Sequence, residues 1–276
     1  MMVHVDGKRA TLRDPERQDW KAMQNRNRRR LGACVAQLLM LSLGLAAAVH
    51  ARARGQAANK GATSAGEIVG TIYFKGDKPK LPAINMANDP VCVSEQTGTV
   101  YVQDGEVNSN GTLPNALVYV KSQPGSPSLS APRNSVDLTQ QGCMYEPHVL
   151  GVMVGQPLQV VTLDPTMHNV HVLPKINREW NVTQRPGSPS IIKTFTQPEI
   201  MIPVHCNAHP WMKAYIGVVS NPYYSVTGTE GSFVIKDVPP GEYTLAVWTA
   251  TFGIQEHRVT MRAGESSTVD FTFENR

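Results

Sequence analysis

Residues 148–173 read HVLGVMVGQPLQVVTLDPTMHNVHVL. Two short runs of β-branched and apolar residues, PLQVVTL (157–163) and HNVHVL (168–173), stand on either side of Asp164-Pro165-Thr166-Met167, and a glycine-punctuated apolar run precedes them. Apolar residues do not recur at i, i+3, i+4 and i+7 over a helical length, so the stretch reads as strands joined by turns. The same texture extends outward in both directions. IVGTIYF (68–74) and ALVYVKS (116–122) lie upstream, and IIKTFT (191–196), IMIPVHC (200–206) and AYIGVVS (214–220) downstream. GSFVIKD (231–237), YTLAVW (243–248), HRVTM (257–261) and TVDFTF (268–273) complete the series. Many short strands broken by Gly, Pro, Asn and Asp predict an all-β sandwich or barrel.

The chain has 276 residues, 41% of them hydrophobic and 17% charged, enough to bury a core. Its net charge of +4 is unevenly spread. Residues 1–53 hold ten Lys/Arg against four Asp/Glu, and residues 54–276 hold sixteen against eighteen. The part expected to fold is therefore slightly acidic, with no footprint for nucleic acid. The basic excess stands before the apolar run Leu31 to Val49, and small residues follow at Ala51 and Ala53. A basic segment, an apolar segment and small residues make 1–53 a secretory signal peptide, with an uncleaved membrane anchor as the alternative. Residues 54–65, RGQAANKGATSA, read as a linker. Export leaves Cys92, Cys143 and Cys206, of which two can pair in an oxidising compartment while one thiol stays free.

The chemistry concentrates in VHCNAHPWM (204–212). It offers the Cys206 thiol, the His209 imidazole three residues on and the Met212 thioether three further. A second imidazole cluster, Met167-His168-Asn169-Val170-His171, lies on another expected strand. Two His and one Cys with a weak axial Met suit copper, whereas zinc has little use for the thioether. Each residue alone has a plain structural reading: Cys206 as a small buried hydrophobe, Met212 as core filler. Their joint order in an all-β host is harder to set aside.

The stretch 148–173 resembles the cupredoxin strand-turn-strand that ends in His-Asn-Val. KTFTQPEIMIPVHCNAHPWM (193–212) is similar to the ligand loop of amicyanin-like cupredoxins. The resemblance implies a Greek-key β-sandwich holding one type 1 copper through His168, Cys206, His209 and Met212. Strand parity favours His168 over His171, because His168 shares a face with Val170 and Val172. Asn169 and Asn207 are expected to surround these ligands, Asn169 tying the His168 strand to the Cys206 loop. Pro210 and Trp211 are expected to form an apolar docking surface for a redox protein partner, with the His209 edge exposed beneath them. Cys92 and Cys143 are expected to form a disulfide; the alternative is a second metal site of Cys143, Met144 and His148.

GEIVGTIYFKGDKP (66–79) and TEGSFVIKDVPPGEYTLAVW (229–248) look similar to carboxypeptidase regulatory-like β-sandwich modules. The whole resembles exported bacterial proteins of the methylamine-utilization type. The expected organisation is a copper domain over 66–220 with an N-terminal β extension, followed by a small β module over 221–276. No G-x-S-x-G, H-E-x-x-H or P-loop is present in the sequence. The expected role is periplasmic electron transport rather than catalysis, with membrane association only if the N-terminal segment is retained. The competing readings are a copper-delivery protein and a β-sandwich with a vestigial site.

Overall fold

The computed structural model describes residues 64–121 and 129–275. The expected signal peptide or anchor and nearly all of the linker lie outside them. Among the described residues no helix is long and apolar enough to cross a membrane. The described residues are nearly all β, arranged as two sandwiches of two sheets each.

In the first sandwich one sheet has the order β5 (Val149–Met153), β11 (Lys213–Val219), β10 (Glu199–His205), β7 (His168–Val172) and β8 (Trp180–Gln184). The facing sheet has the order β4 (Met144–Glu146), β3 (Val136–Gln141), β6 (Leu158–Thr162) and β9 (Ile191–Lys193). Strands distant in sequence lie side by side, with β5 parallel to β11 and β3 parallel to β6, which requires Greek-key-like crossings between the sheets. Between them sits a core that includes Leu138, Leu158, Val160, Val170, Val204 and Ile216. The short helix α1 (Pro90–Ser94) packs on this core through Cys92.

The second sandwich resumes after Ser220, where β11 ends and β12 (Tyr224–Val226) begins, but it is not built from 221–276 alone. Strand β1 (Gly66–Lys75) pairs with β13 (Ser232–Val238), β16 (Ser266–Thr268) and β17 (Phe271–Glu274). Strand β2 (Leu117–Val120) pairs with β12 and β14 (Gly241–Thr249), and β15 (Gly253–Met261) closes that sheet. Residues 66–75 and 117–120 thus belong to the C-terminal module, not to a β extension of the copper domain. Their apolar side chains have their own core to fill, with Ile68, Ile72 and Val118 meeting Phe233, Leu245 and Phe271. The strands of the first sandwich, β3 to β11, are all inserted between two neighbouring strands of the second, β2 and β12.

A third apolar layer joins the two. Along β2, Val118 and Val120 point into the second core, while Leu117 and Tyr119 point the other way, onto Val149, Met153 and Val219. Strands β2 and β5 are therefore buried on both faces, and their runs LVYV and VLGVM show no polar alternation. Two glycines set the spacing of this junction. A Cβ on Gly217 would lie 2.3 Å from Leu117 Cδ2, and one on Gly151 2.3 Å from the Tyr224 ring. Only a residue without a side chain lets these sheets approach so closely.

Candidate metal centre

Strands β10 and β11 pair down to His205 and Lys213, and residues 206–212 close the connection. The Met212 N–H donates to the His209 carbonyl at 2.9 Å and the Cys206 N–H to the Met212 carbonyl at 3.3 Å, which folds the loop back on itself. Pro210, lacking an N–H, cannot extend the ladder there. This loop meets the start of β7, and His168, Cys206 and His209 come together. His168 Nδ1 is 2.9 Å from His209 Nδ1, and Cys206 Sγ is 3.7 Å from the same His209 atom. All three are at most 4% exposed, and their ligand atoms lie within 4.8 Å of one another. Met212 is buried in the same core. His171 is on the other face of β7, bonded to Glu179 at 2.7 Å.

The outer nitrogens explain why the inner ones face each other. His168 Nε2 lies 2.8 Å from Asp164 Oδ2, and His209 Nε2 lies 2.8 Å from Asp89 Oδ2. A carboxylate only accepts, so each Nε2 carries its proton and each Nδ1 turns a bare lone pair inward. Two such lone pairs 2.9 Å apart repel unless a cation lies between them. Burial opposes charge on His168, yet the Asp164 carboxylate and the Cys206 sulfur raise its pKa to about 9. Burial likewise opposes the Cys206 thiolate, but contacts with His168, Asn169 and His209 bring it down to about 7. A metal–nitrogen bond is about 2.0 Å, so both imidazoles can reach one ion, and the thiolate supplies a soft third donor. The donor set fits copper.

Asn169 accepts from the N–H groups of Asn207 at 2.7 Å and Ala208 at 3.3 Å, and its own N–H points at Cys206 Sγ at 3.5 Å. It therefore ties β7 to the ligand loop. Asn207 takes part through its backbone, while its side chain faces His171 at 3.4 Å. Where β7 and β10 part, the buried Tyr145 hydroxyl donates to the Asn169 carbonyl at 2.6 Å, with the His205 carbonyl 3.2 Å away.

Cys92 and Cys143 form a disulfide, and Cys206 is a free, buried cysteine. The alternative site of Cys143, Met144 and His148 is thereby excluded, since the Cys143 sulfur is already bonded. The His148 ring instead faces Asp104 at 2.9 Å and the Lys213 carbonyl at 3.1 Å.

A second expectation needs correction. The His209 edge is not exposed, because Asp89 covers its Nε2. Trp211 is half-buried, with its ring 5.1 Å from that of His209 and its indole N–H donating to the Cys143 carbonyl at 3.1 Å. Of His209, Pro210 and Trp211, only Pro210 is exposed.

Asp89 and Asp164 escaped the motif reading. Each is followed by proline, as Asp89-Pro90 and Asp164-Pro165, and that turn-forming pair was the one available signal.

Residues 210–274 match the carboxypeptidase regulatory-like domain. No curated protein sequence matches the chain. Among solved structures, a methionine-to-alanine mutant of amicyanin in its Cu(I) form is 19% identical over 37% of this chain and 98% of its own, with a TM-score of 0.28. A purple cupredoxin from Nitrosopumilus maritimus is 17% identical over 30% of this chain and 98% of its own, at 0.26. A copper-containing nitrite reductase from Thermus scotoductus SA-01 is 22% identical over 36% of this chain, at 0.30, and the match spans only 25% of that enzyme.

Proposed function

We propose that this chain is an exported, mononuclear type 1 copper protein that carries electrons between redox proteins of the periplasm. The observation that supports it most is the buried trio of His168 Nδ1, His209 Nδ1 and Cys206 Sγ, with both imidazoles turned inward by carboxylates. His168, Cys206 and His209 would hold the ion, with the Met212 thioether as a weaker fourth donor. Copper bound there supplies a one-electron couple. The protein's own part is to keep the donors in place in both oxidation states. Four protein donors leave no position for substrate, which favours a carrier over an enzyme. Their burial also argues against ready hand-over of the ion to another protein, as a delivery role would require. The disulfide suits an oxidising compartment, in line with the signal-like N-terminus.

Adding Cu(II) to the purified full-length protein tests this reading. The expected result is one copper per chain with an intense visible absorption band. Colourless protein, or protein that takes up zinc in preference to copper, would defeat the electron-carrier reading.

The partner, a redox protein, is expected to dock over Pro210 and Trp211, now with the Trp211 ring rather than the His209 edge as the route outward. With a balance of two excess acidic residues in 54–276, long-range steering is weak and contact is mainly apolar. Trp211→Lys is expected to slow electron exchange with the partner about tenfold or more, a loss of ~1.4 kcal/mol of docking or coupling. Trp211→Phe, which loses the bond to Cys143 but keeps a ring, should cost ~1 kcal/mol of stability and leave the exchange rate near its original value. Stopped-flow rates and thermal melts of the two variants check this. Equal exchange rates in Trp211→Lys and the parent would place the exit elsewhere.

A further inference from the structure

The two carboxylates behind the histidines are mounted alike. Asp89 caps helix α1: its Oδ1 accepts the N–H groups of Val91 at 2.9 Å and Cys92 at 3.3 Å. Its other oxygen faces His209, with the Thr166 hydroxyl at 3.4 Å. Asp164 is held by the Gly142 N–H at 2.6 Å and the Cys143 N–H at 2.9 Å. Gly142 and Cys143 form the two-residue turn between β3 and β4, both with positive φ, at 62° and 54°, as a type I′ turn requires. That conformation presents two successive N–H groups to one carboxylate. In each case one of the N–H groups belongs to a half-cystine, so the Cys92–Cys143 bond joins the two mounts. The Cys143 carbonyl, in turn, accepts from Trp211. Three segments far apart in sequence thus converge on one bridge behind the metal donors.

We propose that Asp89 and Asp164 are positioning residues for the metal centre, each fixing one imidazole in the Nε2–H form, and that the Cys92–Cys143 bridge is their common mount. The inference rests on the copper reading for what the imidazoles hold, but not for how they are held. A histidine free to take the other tautomer would turn an N–H, not a lone pair, toward the metal position, and could not ligate through Nδ1. Carboxylates also add negative charge behind the donors, which favours Cu(II) over Cu(I).

Asp89 allows a clean test, because Ser and Asn are both good N-cap residues and preserve α1. The experiment compares Asp89→Ser, Asp89→Asn and the parent. Nitrogen-15 NMR of the metal-free proteins reads the His209 tautomer, and competition titration of the full chain reads Cu(II) affinity. The expected result is loss of the fixed Nε2–H form in both variants. Cu(II) binding should weaken about tenfold to a hundredfold, with little change in melting temperature. A purely structural role for Asp89 would lower the melting temperature and leave the tautomer alone. An unchanged Nε2–H tautomer in both variants, or Cu(II) affinity within about twofold of the parent, overturns the proposal. A parent protein that binds no Cu(II) overturns the copper reading instead, and the tautomer, read without metal, still decides the positioning role.

Discussion

Replacing Cys206 with serine is expected to abolish the visible band of the copper-loaded protein and to leave its fold in place. The band of a type 1 centre comes from charge transfer between the thiolate sulfur and copper, and a hydroxyl has neither the softness nor the anionic form at neutral pH to replace it. Affinity for Cu(II) should fall by more than the ten- to hundredfold typical of a change behind the ligands, because a donor itself is lost. The fold has less at stake. A serine hydroxyl at this buried position can bond to the Asn169 side-chain oxygen that now lies 3.5 Å from the sulfur, so the stability cost should be about 1–2 kcal/mol. Absorption spectra of parent and Cys206→Ser after addition of Cu(II), with thermal melts of both, measure the two effects. A variant as strongly coloured as its parent would remove Cys206 from the centre.

That residue, its loop and the all-β class were legible because their signals are local. Short strands announce themselves by composition and turn residues, and Cys206, His209 and Met212 fall within seven positions. Edge strands were harder to see: β8 and β12, at the rims of their sheets, bury only one residue between them and read as loop. The membership of β1 and β2 was misread for a different reason. A composition shift at Ser220 marks where one sandwich ends in sequence, but nothing local reveals that β1 crosses the molecule to pair with β13, roughly 160 residues later. The carboxylates behind the histidines belong to the same class of blind spot. Asp89 is 120 residues from His209, and an Asp-Pro pair ordinarily signals a turn and nothing more. The exposed His209 edge failed on the same ground, since the group that covers it comes from the segment around α1, which the resemblance does not reach.

Removing the disulfide should have the largest effect on stability and should also be felt at the metal. The bridge spans 51 residues of sequence, and closing a loop of that length in the unfolded chain corresponds to about 4 kcal/mol in the loop-entropy model. Cys92→Ala/Cys143→Ala should therefore lower the free energy of unfolding by roughly that amount. Both side chains are fully buried among Met86, Leu138 and Tyr145, and truncating two sulfurs adds a small packing loss on top. The consequence at the centre follows from what the half-cystines hold. With the bridge gone, α1 and the Gly142–Cys143 turn are no longer fastened to each other, and the two carboxylates lose their common reference. Each still keeps its own N–H donors, so both histidines should retain their tautomer and copper should still bind. The loss should instead appear as a broader distribution of imidazole positions: wider spectral lines and Cu(II) affinity lowered by about tenfold, milder than losing a carboxylate outright. Denaturant unfolding, with electron paramagnetic resonance of the copper-loaded double variant, tests both parts. An unfolding free energy within about 1 kcal/mol of the parent would show that the bridge does not constrain this chain. Unchanged copper spectra in a clearly destabilised variant would show that each carboxylate holds its histidine independently of the other.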